Sequence, residues 1–318
     1  MDCVEGARAH VEDGLVNLLI CDPPFGINDS TFDKHYYRNT ERVIEGYEEA
    51  PKEFTQYKEF TYAWFEQAKR VLHPTGTLYV FSGWNNLEAI LSSGRELGMD
   101  LLGNLIWKFN FGCYNQFWIN THYHILPFCH KKQKKHITFN RNCRYGDTEI
   151  DENDRKLCYG DREDVFLINK DYKPGSVKNQ NKLPDELMRK LILYSSNEND
   201  MVGDFFLGSF VSAIQAKKLG RRALGFELNK NAFDAFLPLY EKAEFGEDLA
   251  SLREPNLWVP EESGKPLTPE LIEAIQNSFT ALVKDKKKTK KEAREILMQE
   301  FQRGYWSIDR ILKRKMYE

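Results

Sequence analysis

The chain has 318 residues and a formal net charge of −3, and no apolar run approaches the length of a membrane span. A chain of this length predicts one large domain, or one with a small appendage. The charge does not mark a nucleic-acid-binding protein, so such a role has to rest on local patches. Six cysteines show no CxxC pair, and with no signal peptide they indicate reduced cytoplasmic thiols rather than disulfides or zinc ligands.

The first predicted elements are a short helix over Ala7–Glu12 and a buried strand over Val16–Cys21. The strand ends in Asp-Pro-Pro-Phe, residues 22–25. We expect a parallel strand, whose following loop lies at the carboxyl edge of the sheet, where open α/β folds bind ligands. The two prolines make this loop stiff and remove two N–H donors, which leaves it rich in free acceptors.

The chemistry of this loop fits a flat ring that carries an amino group. The Asp22 carboxylate and the Pro23 carbonyl are two acceptors, and Phe25 offers a flat apolar face. Together they suit a planar ring with an exocyclic NH₂, such as an adenine or cytosine turned out of a duplex. An ordinary strand-to-turn connection with two prolines is the alternative.

Residues 26–55 follow, and they are polar and aromatic without clear periodicity. Tyr36 and Tyr37 lie in this stretch. A long loop inside a compact domain is either functional or mobile. We interpret it as a segment that closes over DNA, with an ordinary surface loop as the alternative.

The middle of the chain shows helical and strand patterns in turn. The predicted elements are the helices Lys58–Leu72 and Asn86–Leu97 and the strands Thr77–Phe81, Leu105–Lys108 and His124–Phe128. Pro127 predicts that the last strand lies near an edge or a bulge, because proline cannot donate to a sheet. Trp107 is expected in the core.

Residues 130–178 have weak periodicity and begin with the basic run His130–His136. We expect this run to lie near the catalytic cleft, where cations neutralise phosphates and the polar residues that follow, such as Asn140, contact base edges. For each individual residue, a solvated surface position is the alternative.

A second strand, turn and helix run from Met201 to Leu219. Gly208 in the turn allows the backbone to approach a ligand closely, and the helix start offers unpaired N–H groups. One helix further on, a strand ends at Glu227, and an acid at that place pairs with ribose hydroxyls in nucleotide-binding α/β folds. A helix is predicted over Asn231–Ala243.

The tail begins with a proline-containing linker over residues 251–266. A helical appendage is predicted over residues 267–318, with helices at Thr268–Lys284, Glu292–Gln302 and Trp306–Lys315. The last two helices flank a glycine-containing turn, as in a helix-turn-helix that contacts DNA. A plain helical hairpin, docked on the catalytic domain or on a second subunit, is the alternative.

These motifs resemble the amino-methyltransferases that use S-adenosylmethionine. Residues 22–25 are similar to their catalytic tetrapeptide, and the segment from Asp204 is similar to their Asp-Pro-Phe-x-Gly-Ser-Gly-Thr-Thr segment. Phe205 and Phe210 replace a proline and a glycine of that segment, which puts cofactor affinity in doubt. The catalytic loop precedes the cofactor loop, and this order resembles the permuted beta group of amino DNA methyltransferases.

The resemblance implies a doubly wound, mostly parallel, Rossmann-like α/β fold. It implies a methyltransferase domain over residues 1–250, with a target-recognition region over 130–178. It implies catalytic roles for Asp22, Pro23, Pro24 and Phe25. It implies cofactor contacts for Asp2, Cys3, Lys182, Asp204, Phe206, Gly208, Ser209, Glu227 and Asn229, and no metal ligands.

The implied reaction moves a methyl group from S-adenosylmethionine to a base flipped out of duplex DNA. Asp22, rather than serine, at the start of the tetrapeptide favours adenine N6 over cytosine N4. Cytosine N4, an RNA base or a protein amide is the alternative acceptor, and a non-catalytic DNA-binding subunit is the alternative class. A homodimer, or a complex with a sister methyltransferase subunit, is the expected assembly.

Overall fold

The computed structural model describes residues 1–25, 50–51, 53–113, 118–170, 182–255, 261–262 and 265–314. The predicted closing loop over residues 26–55 therefore lies mostly outside the described residues. The chain forms two compact units. The first unit comprises Met1–Arg141 and Glu163–Leu252, and the second comprises Asn142–Arg162 and Arg253–Glu318.

The first unit is built of helices and strands that follow one another along the chain. Its helices are α1 (Cys3–His10), α2 (Phe54–Val71), α3 (Leu87–Glu96), α5 (Asp185–Ser195), α6 (Val211–Lys218) and α7 (Lys230–Lys242). Its strands are β1 (Val16–Cys21), β2 (Leu72–Ser82), β3 (Met99–Leu101), β4 (Leu105–Cys113), β5 (Asn120–His130), β6 (Val165–Leu167), β7 (Met201–Asp204) and β8 (Arg222–Gly225). The single helical turn α4 (Leu157–Gly160) belongs to the second unit.

The eight strands of the first unit form one mixed sheet in the order β8-β7-β1-β2-β5-β4-β6, with β3 pairing with β5 beside β4. Strands β8, β7, β1 and β2 are parallel, and β5 runs antiparallel to its neighbours β2, β3 and β4. Strands β1 and β7 are adjacent although about 180 residues separate them, and Leu18 pairs with Val202 and Ile20 with Asp204. The doubly wound, mostly parallel sheet expected from the sequence is confirmed.

Helices cover both faces of this sheet because alternate residues of its central strands are apolar on both sides. On one face the Leu19 side chain packs in the main core cluster, together with Trp64 and Phe65 of α2 and residues of α1 and α3. On the other face the Tyr79 hydroxyl hydrogen-bonds the Ser195 hydroxyl of α5 at 2.8 Å. Two-sided burial is what the continuous apolar run of β1 predicts.

Pro127 lies in the interior of the sheet, opposite the break between β3 and β4, so of its two predicted positions, near an edge or at a bulge, the edge is wrong. Strand β5 lies between β2 and β4, and Pro127 pairs with Tyr79 of β2. The Pro127 carbonyl accepts a hydrogen bond from the Leu102 N–H at 2.8 Å. In an antiparallel strand the N–H and the C=O of one residue point to the same side. The Pro127 nitrogen, which carries no hydrogen, therefore faces the link between β3 and β4, where the sheet hydrogen bonds are interrupted. Trp107 is fully buried, as predicted.

The basic run after β5 lies at the opposite edge of the sheet from the Asp-Pro-Pro-Phe loop, so its predicted place near that loop was wrong. Strand β5 is antiparallel to β2 and therefore ends where β2 begins. The His130 Nε2 atom lies 2.9 Å from the Leu72 carbonyl oxygen, and the Thr138 N–H donates to the Thr75 carbonyl at 2.9 Å.

Asn140, predicted among the base-contacting residues, has a structural role at the end of α5. Its amide donates to the carbonyl oxygens of Leu193 at 3.1 Å and Ser196 at 2.9 Å. These are carbonyls that the end of a helix leaves without intrahelical partners. The amide therefore completes the hydrogen bonding of this helix end.

Besides the turn α4, the described part of the second unit contains the helices α8 (Pro269–Lys284), α9 (Lys290–Glu300) and α10 (Tyr305–Arg314). Thr289 and Glu292 form a reciprocal capping box at the start of α9. The core consists of apolar residues of all three helices, namely Ile275, Leu282, Ala293, Leu297, Met298, Tyr305, Ile308 and Ile311. No helix in the described ranges is long and apolar enough to cross a membrane.

The segment 142–162 and the C-terminal helices are held together by apolar packing and ion pairs. Ile150 packs against the helical core. Arg294 of α9 pairs with Asp154 at 2.8 Å and with the buried Asp309 at 3.4 Å, and Arg253 pairs with Glu149. The two compact units therefore differ from the expected domains, because residues 142–162 of the 130–178 region pack with the C-terminal helices.

Replacing Arg294 by alanine tests whether these two segments form one unit. The change removes the arginine from Asp154 and from the buried Asp309, which keeps Lys313 at 2.8 Å. Loss of a hydrogen bond to a charged group costs roughly 1.5–3 kcal/mol. We expect limited proteolysis of Arg294→Ala to cleave both 142–162 and the C-terminal helices faster. The exposed Arg310→Ala on α10 is the control, and cleavage of only one segment would contradict the grouping.

Candidate active site

The loops that follow β1, β7 and β8 meet at one edge of the sheet. These strands are parallel neighbours, so their carboxyl ends point the same way. Ile20 pairs with Asp204 and Asp204 pairs with Gly225, which places Asp22, the turn after Asp204 and Glu227 next to one another. The meeting of the Asp-Pro-Pro-Phe loop and the Gly208 turn, predicted from the sequence, is confirmed.

The Asp-Pro-Pro-Phe loop presents two acceptors that other groups leave free. The Pro24 carbonyl accepts from the Tyr57 hydroxyl at 3.2 Å, and the Phe25 carbonyl accepts from the Asn86 amide at 2.9 Å. Within the described residues, no group donates a hydrogen bond to the Asp22 carboxylate or the Pro23 carbonyl. These are the two acceptors that the sequence assigns to an amino group.

The Asp22 carboxyl has a pKa raised to about 7, chiefly because burial disfavours its charged form. The negative charge of Asp204 raises this pKa further, and the positive charge of Lys170 lowers it. A carboxyl with a pKa in this range is ionised, and able to accept two hydrogen bonds, above neutral pH. Lys170 follows β6. Strand β6 is parallel to β4, and β4 runs in the same direction as β2 because both are antiparallel to β5, so the carboxyl end of β6 points to the same edge of the sheet.

Phe25 lies beside a group of aromatic rings at the same edge. Its ring meets that of Tyr123 edge-on, with 5.3 Å between the centroids. Tyr123 in turn contacts Phe109 at 5.3 Å and Trp107 at 5.9 Å. Lys170 lies 5.9 Å from the Trp107 ring centroid. Phe25 is itself partly exposed, so its ring is a surface on which a flat ligand can stack.

Asp204 is a buried acid that organises the turn after β7. Its Oδ1 accepts from the Phe206 N–H at 2.9 Å, and its Oδ2 accepts from the Ser212 hydroxyl. Burial raises the pKa of Asp204 to about 7, the two hydrogen bonds lower it, and Glu227 raises it. The Phe206 ring packs edge-on against Trp64 of α2 at 5.5 Å, which anchors the turn to the core.

The Gly208 turn contains Phe205 and Phe210, the two residues that replace a proline and a glycine of the resembled family. Phe210 has φ 59° and ψ 16°, a left-handed conformation that suits the glycine of the resembled family. Its ring is buried against α7, 5.6 Å from the ring of Phe233. The ring of Phe205 is buried in the main core, 5.5 Å from that of Phe226. Both phenylalanines therefore fill protein cores, and Phe210 adopts a backbone conformation that glycine favours.

Glu227 closes the edge on the β8 side. Its carboxylate accepts from the Gly208 N–H and from the Asn229 N–H, each at 2.7 Å. Burial raises its pKa, and these two hydrogen bonds lower it. Glu227 thus links the Gly208 turn to the segment after β8, and Ser209 in the same turn is buried.

Asp2 and Cys3 lie near this edge but have structural roles. Asp2 Oδ1 caps α1 by accepting from the N–H groups of Val4 at 2.9 Å and Glu5 at 3.1 Å. The Cys3 side chain is buried in the main core, and burial raises the pKa of its thiol to about 12. A thiol with this pKa is neutral and unreactive. The sequence did not predict the helix cap, because it placed the helix start at Ala7.

Lys182 and Asn229 are also engaged within the protein. Lys182 pairs with Asp185 at 2.8 Å at the start of α5. The Asn229 side-chain oxygen caps α7 by accepting from the N–H groups of Asn231 at 2.9 Å and Ala232 at 3.2 Å. Their predicted cofactor contacts stay predictions, and of the nine cofactor candidates, Gly208 and Glu227 have the most suitable position.

The sequence analysis does not assign Tyr57, Asn85, Asn86 or Lys170 to this site. Tyr57 lies just before the predicted helix Lys58–Leu72, and Asn86 is the first residue of the predicted helix Asn86–Leu97. The available signal was the pair of prolines, because a loop without N–H donors needs side-chain donors from elsewhere.

With this geometry established, the class of the protein follows from its family. Residues 16–237 match the family model described as a DNA methylase, of the N6 and N4 methyltransferases. The match covers more than half of the chain, and the chain belongs to this family.

Individual relatives agree with this assignment. The chain is 28% identical over 232 residues to the type II methyltransferase M.HpaI of Haemophilus parainfluenzae, a match that covers 70% of this chain and 68% of the relative. It is 29% identical over 244 residues to the type II methyltransferase M.HinfI of Haemophilus influenzae, covering 73% of this chain and 65% of the relative, slightly less than two thirds. The fold is similar to that of TTHA0409 from Thermus thermophilus, a protein described as a putative DNA modification methylase and solved with S-adenosyl-L-methionine, with a TM-score of 0.52, 18% identity and coverage of 76% and 91% of the two chains.

The raised pKa of Asp22 predicts how the stability of the ligand-free protein depends on pH. Between about pH 4 and 7 the unfolded chain ionises Asp22 while the folded protein holds its proton, so the free energy of unfolding falls as pH rises. Asp22→Asn removes this charge. We expect the variant to melt roughly 3–10 °C above the wild type at pH 8 and nearly equally at pH 4.

The control is Asp164→Asn, since the Asp164 side chain is exposed. Thermal denaturation at pH 4, 6 and 8 measures all three proteins. A variant Asp22→Asn that melts below the wild type at pH 8 would contradict a raised pKa at this position.

Proposed function

We propose that this protein transfers a methyl group from S-adenosylmethionine to the N6 amino group of an adenine turned out of duplex DNA. The observation that carries the proposal is the shared edge of β1, β7 and β8, which brings the free acceptors of residues 22–23 to the Gly208 turn. A loop suited to an amino group and a turn suited to a nucleotide-like cofactor therefore lie at the same edge of the sheet.

The residues of the β7 and β8 edge fit S-adenosylmethionine. Gly208 has a positive φ of 50° and no side chain, so a ligand can approach the backbone closely. The rings of Phe205 and Phe210 are buried in cores, and Glu227 lies where an acid binds ribose hydroxyls in nucleotide-binding α/β folds. When bound, the cofactor supplies a methyl group that its sulfonium already activates.

Asp22 and Pro23 act on the amine, which is the difficult partner in this reaction. The lone pair of an adenine amino group is delocalised into the ring. Hydrogen bonds from the two N–H groups to the Asp22 carboxylate and the Pro23 carbonyl favour the pyramidal nitrogen of the transition state, where catalytic interactions have to act. Phe25 stacks on the base and holds it, a contact worth roughly 1–3 kcal/mol.

The choice of adenine rests on Asp22. The family includes both N6 and N4 enzymes, and an aspartate at the first position of the tetrapeptide resembles the adenine group. We further propose that the protein works in the bacterial cytoplasm as the modification enzyme of a restriction-modification system, as the type II designation of its relatives supports.

Labelled methyl transfer tests this function directly. Plasmid DNA is incubated with the protein and with S-adenosylmethionine carrying a labelled methyl group, and the nucleosides are then separated. We expect the label on N6-methyl-2′-deoxyadenosine, no label with Asp22→Ala, and unchanged cofactor affinity of that variant in calorimetry. Label on cytosine N4 would move the acceptor, and label on RNA or protein would replace it. Absence of both transfer and binding heat would favour a non-catalytic subunit.

We also propose that the second unit contacts the DNA backbone. Its α9 and α10 flank the turn at residues 301–304, as in a helix-turn-helix. The segment from Lys284 to Lys291 contains six lysines, and five of them are exposed. Exposed lysines at one place neutralise phosphates and release counterions, which makes binding depend on salt.

Lys286→Gln tests this contact. Loss of one phosphate contact lowers the slope of log affinity against log salt by about 1 and weakens binding to all sequences alike. DNA affinity measured between 50 and 200 mM salt gives the slope. Lys242→Gln, an exposed lysine on α7, is the control, and equal slopes for both variants and the wild type would contradict the contact.

A further inference from the structure

The Asp-Pro-Pro-Phe loop cannot hold its own shape with backbone hydrogen bonds. Pro23 and Pro24 have no N–H, so only Asp22 and Phe25 keep a donor in these four residues. Strand β1 ends at Cys21, and the loop has left the sheet ladder. Proline fixes φ but leaves ψ free, and ψ sets the direction of each carbonyl. External groups therefore have to fix the orientation of this backbone.

Tyr57 of α2 provides the first of these groups. Its hydroxyl donates to the Pro24 carbonyl at 3.2 Å, and its side chain is only 3% exposed. Its ring packs against Phe60, with 5.9 Å between the centroids, and in a small cluster with Ala50 and Ala89. The ring is thus held by packing, and the hydroxyl reaches the loop from a fixed position.

Asn86, in the short 3₁₀ turn after β2, provides the second. Its Nδ2 donates to the Phe25 carbonyl at 2.9 Å, and the residue is buried. The neighbouring Asn85 donates to the Asn86 Oδ1 at 3.0 Å, which fixes the orientation of the Asn86 amide, and to the Phe25 carbonyl at 3.3 Å. A Cβ at Gly83 would lie 2.7 Å from the Asn85 Oδ1, so the glycine leaves room for this arrangement.

We propose that Tyr57 and Asn86 are positioning residues for methyl transfer. They bind the Pro24 and Phe25 carbonyls and so fix the backbone that carries the Asp22 carboxylate, the Pro23 carbonyl and the Phe25 ring. Two carbonyls are held, and among the described residues no group donates to the two acceptors assigned to the amino group. The inference rests on the proposed function, because it explains how that site keeps its geometry.

The chain offers a matched control for Tyr57. Tyr79 is also a buried tyrosine whose hydroxyl makes one hydrogen bond, to Ser195 at 2.8 Å, but that contact joins β2 to α5 away from the loop. Tyr57→Phe and Tyr79→Phe each remove one hydroxyl and keep the ring. A general loss of stability affects both variants, whereas a loss of loop geometry affects only the first.

The experiment measures the single-turnover rate of methyl transfer to plasmid DNA, S-adenosylmethionine affinity by calorimetry, and melting temperature. Displacement of a reacting group by about 1 Å can cost about 100-fold in rate. We expect the rate to fall about 10-fold in Tyr57→Phe and about 100-fold in Asn86→Ala, with less loss in Asn85→Ala. Cofactor affinity should stay within about 2-fold in all of them, and Tyr79→Phe should keep the wild-type rate.

The possible results separate this inference from the proposed function. An active wild type with an equally active Tyr57→Phe would overturn the positioning role and leave the function standing. A rate that falls equally in Tyr57→Phe and Tyr79→Phe would also overturn it, since stability would then explain both. An inactive wild type would overturn the proposed function, and the positioning role with it. Tyr57→Phe alone decides the matter if Asn86→Ala does not fold.

Discussion

The parallel pairing of β1 with β7 is the constraint on which the rest of the site depends. Three residues of β1, from Leu18 to Ile20, pair with Val202–Asp204 from a distant part of the chain. The paired residues of β1 are almost fully buried, so the hydrophobic effect fixes their register. This register places Asp204 beside Ile20, and Asp22 follows Ile20 by two residues, so the two acids lie close together.

The closeness of these two acids costs electrostatic free energy in the folded protein. Burial chiefly raises the pKa values of Asp22 and Asp204 to about 7, with the charge of Asp204 adding to the first and that of Glu227 to the second, so the folded protein holds two carboxyls that ionise reluctantly. Lys170 and the Ser212 hydroxyl offset part of this cost. Strain of this kind is typical of functional sites.

The sequence predicted the sheet and the meeting of its loops because apolar runs that end in acids are local signals. It did not predict the direction of β5, which is decided by partners far along the chain, so the edge alternative for Pro127 and the place of the His130–His136 run near the catalytic loop were wrong. The cofactor contacts of Asp2 and Asn229 stay predictions. The structure adds that their oxygens cap helices, a role that the same side-chain types also serve.

The second unit is assembled from two pieces of chain that about 90 residues of the first unit separate. During synthesis, at roughly 5–20 residues per second, residues 142–162 leave the ribosome roughly 5–20 seconds before the helices they pack against exist. Ile150 is exposed throughout that interval. The methylase sheet gains its β7 and β8 edge in the same interval, so the order of translation completes this sheet before the second unit can close.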